Sequence, residues 1–179
     1  GISFAVQGGS LSAVGSHFTG QTNVAGRIIS LDFLWNAVRV QGGAYGAGLT
    51  LWDNGVSAYY SYRDPDPRRS LDCYRQSAGF LRDFASSNRD LSGFIIGSVA
   101  ETTPALLPRQ QGKMADRQYF MNWSFADRLA FRRAMLHTTP DDVTAFGDTL
   151  ARLDTACGVC VIGPRNQVEA CGLDQIMSV

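Results

Sequence analysis

Arg39 and Tyr45 stand on either side of a glycine pair in the run Arg39-Val40-Gln41-Gly42-Gly43-Ala44-Tyr45-Gly46. The segment before it, Leu31-Asp32-Phe33-Leu34-Trp35-Asn36-Ala37-Val38, has helical apolar spacing. The order reads as a helix closed by an arginine, two glycines that free the backbone, and a tyrosine that opens a strand. A guanidinium and a phenol at one helix-to-strand corner can both donate hydrogen bonds, and a guanidinium suits planar or carbonyl-bearing partners. Both residues also have purely structural uses. An arginine in a last helical turn complements the macrodipole, and a tyrosine at a strand start is commonly half-buried core.

Other candidate chemistry is weaker. Gly43, Gly46 and Gly48 are not spaced as G-x-G-x-x-G, no Gly-Lys-Ser/Thr follows, and a phosphate loop needs a strand before it and a helix after it. Gly42 and Gly43 read as a helix stop. His17 and His137 sit in no H-x-x-E-H arrangement, so no catalytic zinc is expected in this chain. His137 near a helix end is explained by the dipole. Cys157-Gly158-Val159-Cys160 is a C-x-x-C, but it follows a helix and runs into a strand, the reverse of the thioredoxin-like order. Buried free thiols are expected for Cys157 and Cys160, with a three-thiol metal cluster including Cys171 as the alternative. Ser16 with His17, or Cys73 with either histidine, has the atoms of a nucleophile–base pair without any supporting spacing.

The chain has 179 residues, the length of one domain. Its 45% apolar and 18% charged content suits a globular core. Basic and acidic residues number 16 each, so no net field draws nucleic acid or an anionic membrane surface. No run approaches the ~20 apolar residues of a membrane span. Gly1-Ile2-Ser3-Phe4 does not open a signal peptide. A chain this long needs no disulfides, so a reducing, cytoplasmic setting is expected.

The elements that must position Arg39 and Tyr45 follow from pattern. One or two short strands are predicted at Phe4-Ala5-Val6 and Leu11-Ser12-Ala13-Val14. A helix over Arg27 to Val38 should bury Ile28, Leu31, Leu34, Trp35 and Val38. Strands Ala44 to Trp52 and Val56 to Tyr62 flank the hairpin signal Asp53-Asn54-Gly55. Trp52, Tyr59, Tyr60 and Tyr62 are expected to pack between sheet and helices. Helices are predicted over Arg69 to Phe84, Arg89 to Val99 with Asn88 as N-cap, Phe125 to Leu136, and Pro140 to Leu153. Thr102 to Arg117 reads as a surface loop. A strand Val159 to Ile162 and a short helix Gln167 to Cys171 close the chain. The order favours α+β, with helices on one face of a largely antiparallel sheet.

The segment Leu31 to Gly48, with Tyr60-Ser61-Tyr62-Arg63-Asp64-Pro65, resembles the C-terminal half of insulinase/pitrilysin-family zinc peptidases, closest to the presequence-protease-like group. The likeness is most specific from Leu31 to Pro67 and continues more weakly through Leu91-Ser92-Gly93-Phe94-Ile95-Ile96-Gly97 to the Val159–Ile162 strand. It implies a single two-layer domain over residues 1–179, truncated at its N-terminus and part of a longer multi-domain chain. It implies that zinc is carried by an N-terminal half as a cofactor this chain lacks. That half and an unfolded peptide substrate would be its partners. Arg39 and Tyr45 would then reach into a chamber and support the substrate backbone as charge develops on the scissile carbonyl oxygen. In that scheme the domain is inert alone. Two alternatives remain: a non-catalytic interaction domain of the same fold, and a thiol module built on Cys157 and Cys160. The purified chain is expected to bind no zinc tightly; metal analysis finding one zinc per chain would overturn that reading.

Overall fold

The computed structural model describes residues 1–177. Four strands, β1 (Ser3–Ser10), β2 (Gly46–Leu51), β3 (Val56–Asp64) and β4 (Gly158–Ile162), form one antiparallel sheet in the order β2-β3-β1-β4. The N-terminal strand is therefore central, paired on one side with the hairpin and on the other with the C-terminal strand. The helices are α1 (Gly20–Ile28), α2 (Pro67–Ser86), α3 (Ser92–Glu101), α4 (Pro108–Phe120), α5 (Phe125–Leu136), α6 (Pro140–Asp154) and α7 (Arg165–Ala170). Helix α1 runs on as a π-helix over Ile29–Val40. Helix α1 with its π-helical continuation, α2 and α6 lie against one sheet face, and α3 and α5 pack on α1, around an apolar cluster that includes Leu11, Ile28, Leu34, Leu71, Leu81, Phe146 and Leu150. This is the α+β, two-layer architecture expected from the element order.

The hairpin forms where Asp53-Asn54-Gly55 places it: Gly55 takes φ 81°, and the Trp52 and Val56 backbones pair across the turn. Helix α6 starts at its sequence signal, with the Thr139 hydroxyl accepting from the Asp142 N–H in a capping box. Helix α2 begins one turn's fraction earlier than expected, because Asp66 caps it and Pro67 occupies its first position. Buried Asp64 joins the two elements: it accepts from the Ser61 and Ser70 hydroxyls, each at 2.6 Å, and from the Asp66 N–H at 2.9 Å. Three donors compensate the desolvation of this carboxylate.

Several local expectations fail for identifiable reasons. Leu11–Val14 is a 3₁₀ turn rather than a strand, ending at Gly15 in the left-handed region and burying Leu11. The long helix begins at Gly20, not Arg27, because the Thr19–Thr22 capping box starts it. Asn88 is not the N-cap of α3. It sits at φ 51° after α2, and the Asp90 carboxylate instead accepts from the Ser92 N–H. Thr102 to Arg117 is not all loop, since α4 starts at Pro108, where the Gln110 side chain accepts from the Leu107 N–H.

The π-helix changes which residues face the core. Its wider winding has the Gln41 N–H donating to the Asn36 carbonyl, five residues back, at 2.9 Å. Ile29, Leu34 and Val38 are buried, while Leu31 and Trp35, expected inside, are turned out.

On the inner sheet face, Tyr59 stacks on Tyr74 of α2 with centroids 5.0 Å apart. Burial pushes both phenols well above the ordinary tyrosine range; a neighbouring serine, Ser77 for Tyr59 and Ser61 for Tyr74, opposes this only in part. Above about pH 10 an unfolded chain loses these protons while the native state keeps them, so stability falls as pH rises. Urea denaturation between about pH 9 and pH 11 is expected to show this fall, with up to ~1.4 kcal/mol per pH unit from each phenol. Tyr59→Phe with Tyr74→Phe is expected to flatten it; an unchanged slope would refute the assignment.

Candidate functional site

Arg39 lies in the last turn of the π-helix, and Tyr45 immediately precedes β2. Gly43, at φ 80°, makes the corner between them by adopting a backbone conformation that other residues resist. The Arg39 Nε–H donates to the Tyr45 carbonyl at 2.9 Å, and its guanidinium carbon stands 3.8 Å from the centre of the Trp35 ring. Trp35 is available for this stacking because the π-winding turns it outward. One edge of the guanidinium and one of its faces are thus occupied. Among the described residues its terminal nitrogens make no hydrogen bond, so they face solvent as unused donors.

Tyr45 is 59% exposed. Its N–H donates to the Tyr62 carbonyl at 3.2 Å, which extends the β2–β3 ladder. Its ring meets the Tyr62 ring edge-on at 5.3 Å, and the Arg63 guanidinium lies over it at 5.5 Å. Arg63 reaches that position from a bulge: Ser3 pairs with Asp64 and Phe4 with Tyr62, leaving Arg63 unpaired at φ 51°. The structure therefore brings Arg39 and Tyr45 together through the tyrosine's backbone and leaves its phenol ring on the surface.

The sheet face beside Tyr45 inverts the usual pattern. Towards the helices point small and polar side chains, Ser3, Ala5, Gln7, Ser57 and Ser61, all buried. Away from them point Phe4, Val6, Tyr60, Tyr62 and Ile162, all exposed. Cross-strand register aligns these outer residues in two rows, Gly46–Tyr62–Phe4–Ile162 and Gly48–Tyr60–Val6–Cys160. Tyr60 and Tyr62 are thus not sheet-to-helix core, as expected from sequence, and Trp52 is exposed as well. Only Tyr59 of that group is inside. The two tyrosines instead lie across glycines: a Cβ on Gly46 would collide with the Tyr62 ring, and one on Gly48 would lie 3.0 Å from the Tyr60 hydroxyl. Sequence reading dismissed these glycines as a phosphate loop without finding their use. The signal was there, since glycines at 46 and 48 and tyrosines at 60 and 62 share a period of two.

The metal and thiol candidates are scattered. Among the described residues no group of three or more His, Cys, Asp or Glu could hold a metal ion. His17 is exposed, and His137 caps the end of α5. Cys157 and Cys160 are not the buried thiols expected from sequence, whereas Cys73 is buried. Cys160 is exposed on the outer sheet face, while Cys157 and Cys171 are half-buried. Cys157 accepts from the Gln7 amide at 3.3 Å on the inner side. The pair is split between sheet faces by the alternation of the strand. Burial raises the Cys73 and Cys171 thiols above their ordinary range, the opposite of what an activated thiol needs.

The fold is that of the pitrilysin-type zinc proteases. A putative zinc protease from Bordetella pertussis Tohama I superposes with a TM-score of 0.61 at 14% identity, covering 91% of this chain and 94% of that one. Pitrilysin superposes with a TM-score of 0.56 at 12% identity, over 88% of this chain and 22% of its own. Within that class, residues 2–162 match the family model of the PreP C-terminal domain, and the chain belongs to that family. Presequence protease 1, chloroplastic/mitochondrial, from Arabidopsis thaliana is 30% identical over 151 residues, covering 83% of this chain and 14% of the plant protein. Protein HypA of Clostridium perfringens is 26% identical over 168 residues, covering 94% of this chain and 17% of its own length. The chain thus spans about one-sixth of the curated relatives it matches.

Gly46→Ala is expected to lift Tyr62 off β2 and cost ~1–3 kcal/mol of stability by overpacking. Gly46→Ala with Tyr62→Ala should recover most of that loss; urea denaturation of the single and double variants measures it, and additive losses would show that the ring does not depend on the glycine.

Proposed function

We propose that this domain forms the half without metal in a two-halved zinc metallopeptidase that degrades short unfolded peptides. Its share of the work is the chamber wall and hydrogen bonds to the substrate backbone. The observation that carries the reading is the fixed Arg39 guanidinium beside an apolar sheet face that the helices leave uncovered. The residues of this chain do not fit a zinc ion, as their histidines and thiols converge nowhere among the described residues. In this reading the zinc belongs to the other half of the longer protein, where it would activate water.

The chain's own residues act by placement. Arg39 is held by the Tyr45 carbonyl and the Trp35 ring, so little side-chain entropy remains to be lost when its terminal N–H groups meet a peptide carbonyl. The Tyr45 hydroxyl supplies a second donor from the same corner. Donors fixed before reaction stabilise negative charge on a carbonyl oxygen more strongly once water is excluded. The apolar rows of Tyr60, Tyr62, Phe4 and Val6 take the side chains of an extended peptide by burying their apolar surface. An interaction domain without catalysis would use the same outer face for a protein partner, and an H-x-x-E-H segment elsewhere in the gene product separates the two.

In the full-length gene product, Arg39→Ala at matched zinc content is expected to lower peptide-hydrolysis kcat/KM by ~10²–10³. Unchanged hydrolysis would leave the domain a scaffold, and an inert wild type would favour the interaction reading.

A further inference from the structure

We infer that the elbow between α4 and α5 is the surface by which this domain docks on another domain of the same polypeptide, apart from the open sheet face; this rests on the multi-domain part of the reading above. Helix α4 has 13 residues and buries none of them. A helix of that length is marginal in water without a packed face. Polar ties anchor it: Arg117 pairs with Asp53 at the hairpin tip, and Arg128 of α5 donates to the Gln118 side chain. At the elbow Tyr119 is 82% exposed, Phe120 83% and Phe125 70%. Such a concentration of bare large side chains marks an interaction surface. At the elbow they border an open cleft of about 550 Å³ that Tyr119, Phe120, Asn122 and Trp123 line. Arg109 and Lys113 on exposed turns of α4 ask for acidic groups at the rim of the occupant.

The occupant follows from size. Three large side chains make a small patch, well short of what a free partner needs for stable binding. A tethered domain needs far less, because the linker holds it at an effective concentration in the millimolar range. The chain spans only 14% and 17% of two curated relatives, so a polypeptide of their length holds ample structure to cover the elbow. The elbow leaves the helix layer through α5, which packs on α1 and α3, whereas the apolar rows lie on the far side of the sheet.

Hydrogen exchange at the amides of α4, compared between this 179-residue chain and the full gene product, tests the inference. Exchange is expected to be fast in the chain alone and on the order of 100-fold slower in the gene product. Tyr119→Ser with Phe120→Ser should restore fast exchange there while leaving the melting temperature of the chain alone unchanged. Equally fast exchange in both proteins overturns the inference, as does slow exchange that survives the double substitution or a gene product no longer than this chain. Protection that rises with the concentration of the chain alone would assign the elbow to a second copy. Protection only with phosphatidylglycerol vesicles would assign it to a lipid surface. Either result refutes domain docking. Exchange is not read through hydrolysis, so loss of the Arg39 role leaves this inference standing, and its own failure leaves that role intact.

Discussion

The register of β1 sets the rest of the molecule. This strand pairs with β3 from Ser3 to Ser10 and with β4 from Phe4 to Gly8, joining the two ends of the chain across one strand. Alternation means that a slip of a single residue would turn Phe4 and Val6 into the helix layer and bring Ala5 and Gln7 out. The helix layer has no room for those rings, because Tyr59 already stacks on Tyr74 beneath the sheet and Gln7 is tied to Asp154 at 2.6 Å. Outside, the same register sets Phe4 beside Tyr62 and Ile162. The bulge at Arg63 shifts the β1–β3 register between Phe4 and Ser3, and that places a guanidinium over Tyr45.

A polar inner face is an unusual foundation, and it works because most of its groups are paired, the buried Gln7 Oε1 being an exception. Ser61 and Ser70 donate to Asp64, the Ser57 hydroxyl donates to the Gly9 carbonyl, and Ser3 donates to the Gln167 side chain of α7. Small side chains let α2 and α6 approach the strands closely, and their hydrogen bonds fix the angle at which they do so. Apolar burial is concentrated between helices instead, where Leu71, Leu81, Phe146 and Leu150 meet. While Leu49 and Tyr59 stay inside, Phe4, Val6, Tyr60 and Tyr62 are thereby released from core duty. They become the outer rows that a peptide or a protein partner can cover.

Rigidity and exposure divide the functional surface in the same way. At the Arg39 corner, a backbone carbonyl and an indole ring restrain a charged side chain that would otherwise sample many rotamers. The tyrosine rows rest on glycines, so their rings lie close to the backbone rather than projecting freely. Helix α4 is built on the opposite principle, with capping, the Arg117–Asp53 ion pair and the Arg128–Gln118 hydrogen bond supplying its order and little apolar contact beneath it.

By itself the sequence determined the features whose cause lies within a few residues: the Asp53-Asn54-Gly55 turn, the Thr139–Asp142 start of α6, the glycine stop after Arg39, and the closeness of Arg39 to Tyr45. Caps and positive-φ positions act through neighbouring backbone groups, so spacing is enough to read them. Family resemblance reached further than local pattern: Leu31 to Pro67 resembles the presequence-protease-like group, and residues 2–162 match the PreP C-terminal domain family. Tertiary structure alone decided which way each strand faces. Tyr60 and Tyr62 look like core in sequence, and only pairing with β1, more than 50 positions away, turns them outward. It also decided the π-winding that exposes Trp35, since the helix must meet β2 and α2 at once. An apolar residue records that it needs covering; which neighbour covers it is settled by the fold.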